Sequence, residues 1–400
     1  MKFIPYGRQD VSREDIEAVV AVLKSDYLTQ GPAIESFEKA VCLEAGASHA
    51  IACSNGTAAL HLACLAADLQ AGDMAVTSAI TFVASANCAR YVGAEVRFAD
   101  IDPETLTISP LSCRRILEKA QSEGRPVKVV VTVDFAGHPC DMQAFAQLKK
   151  EFGFVWIQDA CHSIGATWED SQGIRWKVGE WPSPDMTVLS FHPVKHITTG
   201  EGGMVLTHDD RLAHRLRQLR THGITRDPAE FENKSEAFAA DGSVNPWYYE
   251  MQQLGFNYRM TDIQAALGES QLHRLAAGIV RRREIVAAYE ARLGRHPHIV
   301  FPKAADGVWH AYHLAVALID FDSAGKSRAA VMNHLREAGI GTQVHYIPVP
   351  LMPFYAAASD SADYPSALAY YRKALSLPCF PQLTDADVAR ICSVLEVALA

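Results

Sequence analysis

A lysine inside a glycine-rich stretch is the first candidate for chemistry in this sequence. Lys195 lies five residues after Ser190 and five before Gly200, and the stretch closes with Gly202 and Gly203. A lysine amine held on such a loop can form a Schiff base with an aldehyde cofactor. The glycines let the backbone pass close to a bulky group, because they carry no Cβ. A surface loop with a solvated lysine is the alternative, so the accompanying residues must decide.

A second candidate stretch, Ser54–Thr57, could bind a phosphate. It follows the β-rich run Ala50–Cys53 and opens a helical pattern over 58–67. Backbone N–H groups at a helix start form a site for anions, here beside Gly56 and the hydroxyl of Thr57. A simple helix N-cap is the alternative.

Three further side chains follow β-rich runs and could contact a flat ring. Asp159 ends an apolar run, where a carboxylate needs a partner; a protonated pyridine nitrogen would be one, and a helix N-cap is the alternative. His162 lies three residues later and could reach a ring oxygen. Phe82 could stack on the ring, although a loop aromatic is more often part of a core.

The elements that position these residues alternate between strands and helices. The predicted strands cover 50–53, 74–78, 95–99, 127–133, 154–158, 186–191 and 204–207. Helical patterns over 58–67, 110–122, 142–152 and 212–219 separate most of them. This alternation predicts an α/β fold with a mostly parallel sheet covered on both faces. Ligands of such sheets bind beyond the carboxyl ends of the strands, where the candidate residues fall.

The remaining segments predict a second, smaller part. Helices are predicted over 10–46 with a break at 29–32, and 227–249 is polar and irregular. A long helix over 261–293 should lead to strands 311–319 and 342–347 and helices 328–338 and 385 onward. We therefore expect an N-terminal segment plus large domain over 1–264, and a linking helix plus small domain over 265–400.

Composition narrows the class of protein. The chain has 400 residues, a net charge of −9 and nine cysteines without CxxC pairs. These features argue against nucleic acid as a partner, a disulfide framework and a metal site. No apolar run reaches about 18 residues and the first residues resemble no secretory signal, so we expect no membrane partner and a cytoplasmic location.

The stretch Ser-Phe-His-Pro-x-Lys-x-x-x-Thr-Gly-Glu-Gly-Gly over 190–203 resembles the DegT/StrS family of pyridoxal 5′-phosphate (PLP)-dependent sugar aminotransferases. The resemblance runs from Ile4–Gly7 to Leu375–Pro378. It implies the fold type I, aspartate aminotransferase-like architecture and PLP as cofactor. By resemblance the site residues have these roles: Lys195 forms the Schiff base, Asp159 pairs with the pyridine nitrogen, His162 touches the ring hydroxyl, Gly56, Thr57 and Ser190 hold the phosphate, and Phe82 covers the ring.

The stretch Gly255–Asp262 (GFNYRMTD) is also typical of this family. There the asparagine reaches the phosphate bound by the neighbouring subunit. Asn257 therefore implies a homodimer with shared active sites, whereas alone it would indicate only a turn or a helix cap.

Four further stretches are similar to the pseudaminic acid branch of the family: Leu28–Pro32, His222–Asp227, Pro246–Glu250 and Gly341–Val349. This resemblance implies transfer of the amino group of L-glutamate to C4 of a UDP-linked 4-keto-6-deoxy-2-acetamido sugar. Candidate contacts to sugar or nucleotide are Tyr6, Thr29, Gln30, Arg226, His313, His345 and Tyr346, each with packing or surface polarity as the alternative. Pro350 stands where relatives usually have a histidine.

Other activities remain as alternatives. The same family includes aminotransferases of other UDP- or dTDP-keto-sugars, aminated at C4 or C3. Its sugar 3-dehydratases carry histidine at the position of Lys195, which argues against them. A non-catalytic sensor is disfavoured by the intact site residues, and a nicotinamide enzyme by the lack of GxGxxG after the first strand.

Overall fold

The computed structural model describes residues 3–357 and 360–400, which form 14 strands and 14 α-helices. The strands are β1 (His49–Cys53), β2 (Met74–Ser78), β3 (Glu95–Ala99), β4 (Val129–Val133), β5 (Val155–Asp159), β6 (Thr167–Glu169), β7 (Arg175–Lys177), β8 (Met186–Ser190), β9 (Gly203–Thr207), β10 (Ile224–Thr225), β11 (Glu250–Met251), β12 (Ile299–Val300), β13 (Ala315–Ile319) and β14 (Ala374–Leu377). The helices are α1 (Arg13–Leu23), α2 (Pro32–Ala45), α3 (Gly56–Ala66), α4 (Ala84–Tyr91), α5 (Pro110–Ser122), α6 (Met142–Phe152), α7 (Asp210–Arg220), α8 (Lys234–Ala237), α9 (Asp262–Leu272), α10 (Leu275–Leu293), α11 (Arg328–Glu337), α12 (Pro353–Ala356), α13 (Pro365–Lys373) and α14 (Asp385–Leu399).

The central sheet has seven strands in the order β1-β9-β8-β5-β4-β2-β3. Strand β9 is antiparallel to both of its neighbours, and the other strand pairs are parallel. All strands except β9 therefore point the same way, and their carboxyl ends meet at one edge of the sheet. This confirms the predicted α/β fold with a mostly parallel sheet.

Local sequence explains why the helices between these strands begin and end where they do. Ser109 caps α5 through the amide of Ser112, and Pro110 occupies its first position, which needs no N–H donor. Asp141 caps α6, which ends at Gly153 with a φ of 73°. Only glycine adopts this left-handed conformation at little cost, so α6 ends there and β5 can begin. Both helices have the predicted bounds.

A second sheet, β12-β13-β14, is antiparallel and lies in the C-terminal part. Its core is formed with α10, α11 and α14 through fully buried side chains such as Tyr289, Leu335 and Leu395. This part is the predicted smaller α+β unit. No helix within the described ranges is both long and apolar enough to cross a bilayer.

The predicted single helix over 261–293 is wrong, because the chain forms α9 and α10 with a break at Arg274. Arg274 has non-helical backbone angles (φ −108°, ψ 3°). Its guanidinium binds the carboxylates of Asp10 and Asp15 at 3.0 and 2.5 Å, and Asp15 is fully buried. The buried carboxylate of Asp15, on α1, needs such a partner. The ion pair with Arg274 therefore outweighs the helix propensity of the residues at the break.

The predicted strand over 342–347 is also wrong. Only one bridge forms there, between Gln343 and Ser376, and the amide of Val344 is bound by the side chain of Gln343 at 2.9 Å. This local hydrogen bond competes with strand pairing. Conversely, the sequence did not predict helix α4, which follows Phe82, is only eight residues long and contains mostly small residues.

Candidate active site

A cavity of about 920 Å³ lies at the carboxyl edge of the central sheet. It brings together 11 of the 15 predicted site residues, from the sheet, the glycine-rich stretch, the N-terminus and the C-terminal part. These residues are Tyr6, Gly56, Thr57, Phe82, Asp159, His162, Ser190, Lys195, His313, His345 and Tyr346.

Lys195 is held on a turn that folds back onto the end of β8. Its amide donates to His192 O at 2.9 Å. Further along, the amide of Thr199 and the hydroxyl of Thr198 both donate to Phe191 O, at 3.0 and 3.1 Å. These bonds close the loop and hold the backbone of Lys195 beside the end of β8.

The anion end of the cavity is formed where β1, β9 and β8 meet. Cys53 and Ser190 both pair with Gly203 in the sheet. Asn55 caps α3 by accepting from Ala58 N at 2.8 Å, and the amide of Gly56 has no acceptor within its helix. A Cβ on Gly56 would lie 2.9 Å from Ser190 Cβ. The space is therefore a backbone cradle suited to a phosphate.

Gly203 is required for this cradle. A Cβ built there would lie 2.3 Å from Asn55 O and 2.7 Å from Gly56 N, far closer than atoms can approach. The missing side chain lets the start of β9 pass directly beside the start of α3. The loop that carries Lys195 (residues 191–202, the lysine loop) and the loop Ser54–Thr57 (the phosphate loop) are thereby fixed relative to each other.

Asp159 is buried at the end of β5 and accepts two hydrogen bonds. Ser85 Oγ donates to its Oδ2 at 2.7 Å, and Cys161 N donates to its Oδ1 at 3.2 Å. Both donors are neutral, so the buried carboxylate still favours a cationic partner in the cavity. The sequence reading did not identify Ser85, because α4 itself was missed.

His162 is buried and faces the cavity from the turn after β5. Its Nδ1 has no hydrogen-bond partner among residues 3–357 and 360–400, and its Nε2 lies 3.4 Å from the hydroxyl of Tyr346. The ring of His313 lies 4.3 Å away between centroids. Burial and the charge of Lys195 hold the pKa of His162 well below its usual range, so the imidazole is neutral. Its unpaired nitrogen is available to a ligand.

Burial also lowers the pKa of Lys195 from its ordinary value. The charge of Asp159 acts in the opposite direction, as does Cys161, while Arg282 adds to the lowering. A lowered pKa increases the fraction of neutral amine near pH 7, and the neutral amine is the form that attacks a carbonyl or accepts a proton.

Aromatic and imidazole side chains form the outer wall of the cavity. Phe82 is 56% exposed and its ring lies 6.1 Å from that of Tyr346. The rings of Tyr6 and His345 are 5.2 Å apart, and His345 Nδ1 contacts Ser376 Oγ at 2.9 Å. This wall combines flat apolar surfaces with a few polar groups, a composition common in small-molecule sites.

The other four predicted residues lie elsewhere on the described chain, and all four are exposed. Thr29 bridges to Thr261, and Gln30 follows it with a φ of 57°. Arg226 lies over the ring of Tyr249, 5.2 Å from its centroid, and Asn257 bridges to Thr221. Within one chain these residues are not brought to Lys195.

The chemical groups that line the cavity complement those of PLP. The cavity offers an amine, a buried carboxylate that accepts from two neutral donors, a backbone cradle for a phosphate and a neutral imidazole with a nitrogen that is unpaired within the described ranges. An aldehyde, a pyridinium nitrogen, a phosphate and a ring hydroxyl are their chemical complements.

Comparison with known proteins points to the same group of enzymes. The family model described as the DegT/DnrJ/EryC1/StrS aminotransferase family matches residues 9–396. The chain is 38% identical to the spore coat polysaccharide biosynthesis protein SpsC of Bacillus subtilis, over 96% of this chain and 94% of that one. It is 34% identical to the uncharacterized protein MJ1066 of Methanocaldococcus jannaschii, over 98% and 97%.

Solved structures of aminotransferases are also similar to this chain. PseC of Helicobacter pylori, an aminotransferase involved in the biosynthesis of pseudoaminic acid, has a TM-score of 0.86 and 27% identity, with 100% of this chain and 99% of that chain covered. Spr1654 of Streptococcus pneumoniae in its PMP form has a TM-score of 0.86 and 26% identity, with 99% of each chain covered. The chain therefore belongs to the DegT/DnrJ/EryC1/StrS aminotransferase family and is a PLP-dependent sugar aminotransferase.

Proposed function

We propose that this enzyme transfers the amino group of L-glutamate to C4 of UDP-2-acetamido-2,6-dideoxy-β-L-arabino-hex-4-ulose, a UDP-linked 4-keto-6-deoxy-2-acetamido sugar, in the biosynthesis of pseudaminic acid. The likeness of the whole chain to PseC of Helicobacter pylori carries this proposal. The four stretches similar to the pseudaminic acid branch support it, and one of them includes His345 and Tyr346 of the cavity wall.

The proposed roles of the chain's own residues follow from their positions. PLP, when bound, supplies an electron sink for the pair of electrons left at the reacting carbon. Lys195 would hold the cofactor through its amine, and the free amine would accept and return a proton at the substrate carbon. Its burial favours the neutral amine that this step needs. Gly56, Thr57 and Ser190 would hold the phosphate in the backbone cradle.

Asp159 is proposed to keep the ring nitrogen protonated, which strengthens the electron sink. Ser85 holds one carboxylate oxygen at 2.7 Å and thereby fixes its direction. His162 is proposed to contact the ring hydroxyl through its unpaired nitrogen, and Phe82 to cover the face of the ring.

We further propose a homodimer with shared active sites. Thr29, Gln30, Arg226 and Asn257 are exposed and lie apart from the cavity of their own chain. Asn257 would reach the phosphate of the partner, and the other three would complete the site for sugar and nucleotide. The division into 1–264 and 265–400 and a cytoplasmic location belong to the same proposal.

Two experiments test the proposal: the first tests the cofactor site, and the second tests the sugar substrate. Borohydride trapping followed by peptide mass mapping should place the reduced cofactor on Lys195; a tag on another residue would overturn the assignment of the site. Amine formation should then be assayed with glutamate against a panel of UDP- and dTDP-linked 4-keto sugars. The UDP-linked 2-acetamido sugar should react best, and amination of dTDP sugars alone would overturn the pseudaminic acid assignment.

A second candidate is amination of another keto sugar by the same chemistry. The identity is higher with SpsC, which is named for spore coat polysaccharide biosynthesis, than with PseC. In addition, Pro350 is buried where a sugar-side histidine is usual in the branch. The same substrate panel decides between the two candidates.

A further inference from the structure

Asp134 is a fully buried carboxylate at the end of β4, one strand away from Asp159. It has no part in the proposed chemistry, yet it accepts three hydrogen bonds. Ser163 Oγ donates at 2.6 Å, Gln158 Nε2 at 2.8 Å and Cys140 N at 3.1 Å. Within the described chain no cation is bonded to it. The buried carboxylate is therefore stabilised by neutral donors, and displacing any of these donors would cost free energy.

Two of these donors flank the residues that face the cofactor. Gln158 immediately precedes Asp159, and Ser163 immediately follows His162. The backbone of Asp134 adds a third link, since its amide donates to Asp159 O at 3.0 Å. One residue therefore fixes both ends of the short turn that carries the carboxylate and the imidazole of the site.

The loop after Asp134 packs against the same turn from the other side. Phe135 lies 6.4 Å from the ring of His162 between centroids. Gly137 has a φ of 103°, and a Cβ there would lie 2.9 Å from His162 O and 3.0 Å from His313 N. His162 is thus enclosed between this loop and the C-terminal part, and Asp134 anchors the beginning of the loop.

We propose that Asp134 is a positioning residue, whose carboxylate sets the placement of Asp159 and His162 toward the cofactor by holding Gln158 and Ser163. This inference rests on the proposed roles of Asp159 and His162. Burial raises the pKa of Asp134 to about 6, and the hydrogen bonds from its donors act in the opposite direction.

The test compares Asp134→Ala with Asp134→Asn. Alanine leaves three buried donors without an acceptor. Asparagine can bond to all three positions: its oxygen accepts from Cys140 N, and its NH2 donates to Ser163 Oγ and to Gln158 after a flip of that amide. The flipped amide would then donate to Thr187 Oγ1, which now donates to Gln158 Oε1 at 3.1 Å. We expect Asp134→Ala to weaken PLP binding to the apoprotein at least about tenfold and to shift the absorbance spectrum of the bound cofactor, and Asp134→Asn to restore both.

Asp100 provides a matched control. It is a buried carboxylate that follows β3 and accepts the amides of Ser366 and Ala367 at 2.9 and 2.8 Å, at the start of α13. Asp100→Ala should lower the urea midpoint of the apoprotein and leave PLP affinity and spectrum unchanged. Where Asp134→Ala does not fold, Ser163→Ala removes one link only, and we expect it to weaken PLP binding about threefold to tenfold.

Each outcome either supports or overturns the role proposed for Asp134. Loss of affinity with Asp134→Ala and rescue with asparagine supports the inference. A lowered urea midpoint with unchanged affinity and spectrum, as for Asp100→Ala, overturns it, and so does unchanged affinity in Ser163→Ala. Failure of the proposed function would be distinguishable, because the wild-type protein itself would then not carry the borohydride tag on Lys195.

Discussion

The hydroxyl of Ser85 donates a 2.7 Å hydrogen bond to the carboxylate of Asp159, and the same hydroxyl contacts Thr81 Oγ1 at 2.7 Å. Ser85 lies in the first turn of α4, and Asp159 ends β5. A helix packed beside the sheet thus fixes the direction of the acid that is proposed to face the ring nitrogen.

Replacing Ser85 with alanine should lower kcat about tenfold, since a hydrogen bond to a charged group contributes about 1.5–3 kcal/mol and about 1.4 kcal/mol corresponds to a factor of ten. KM for the sugar should change little, because Ser85 is buried and does not line the cavity. Thr77→Val is the control: it removes a buried hydroxyl that donates to Val131 O at 3.0 Å within the same sheet. Equal kcat values for the two variants would contradict the role of Ser85. The measurement is steady-state kinetics with glutamate and the best sugar of the panel.

The sequence predicted the sheet and most of the cavity because both follow local patterns. Strands such as β2 and β8 are buried, mostly apolar runs, and the residues that follow them are chemically distinctive. Ser85 could not be found in this way, because α4 consists mainly of small residues and the side chain becomes functional only when the helix packs on β5. The break at Arg274 depends on Asp15, more than 250 residues away in the chain. Such long-range partners leave no local pattern.

Gly203→Ala should separate the lysine loop from the phosphate loop. The new Cβ would lie 2.3 Å from Asn55 O, so the start of β9 or of α3 must shift. We expect weaker PLP binding, by about tenfold or more, and a loss of about 1–3 kcal/mol in the free energy of unfolding. Fluorescence titration with PLP and urea unfolding measure the two effects.

Gly278→Ala is the contrasting glycine variant. This residue lies inside α10, where a Cβ would meet only Pro381 Cγ at 3.6 Å, an ordinary contact. Alanine there should stabilise the protein by about 0.5–1 kcal/mol, because it restricts the unfolded chain and favours the helix. If Gly203→Ala behaved like Gly278→Ala, the close approach of the two loops would be disproved.

The buried histidines should make the fold sensitive to acid. Burial lowers the pKa of His345 to about 4, and the charge of Lys195 adds to this lowering. The unfolded chain binds a proton on this residue below about pH 6.5, whereas the folded chain does not until about pH 4. The stability contributed by neutral His345 is therefore fully present above about pH 6.5 and is lost as the pH falls toward 4, by about 1.4 kcal/mol per pH unit at most.

Urea unfolding of the apoprotein between pH 7.5 and 5 measures this slope. His345→Gln should reduce the slope by up to one proton, whatever its effect on stability at pH 7.5. An unchanged slope in His345→Gln would show that other groups cause the acid sensitivity.

Complementation between an inactive and an impaired variant tests the shared active site directly. Asn257 is exposed and apart from the cavity of its own chain, so its proposed contact to the phosphate needs a second subunit. We expect Lys195→Ala to be inactive and Asn257→Ala to be impaired at least about tenfold. In a mixed dimer, one site combines the intact lysine of one chain with the intact asparagine of the other. An equal mixture, refolded or co-expressed, should therefore regain about a quarter of wild-type activity, because half of the dimers are mixed and half of their sites are intact.

A mixture of Lys195→Ala with Ser190→Ala should give only the average of its parts, since both residues line the cavity of the same chain. The same result for the Asn257 mixture would mean that Asn257 acts within its own chain or not at all, and the shared site would be disproved.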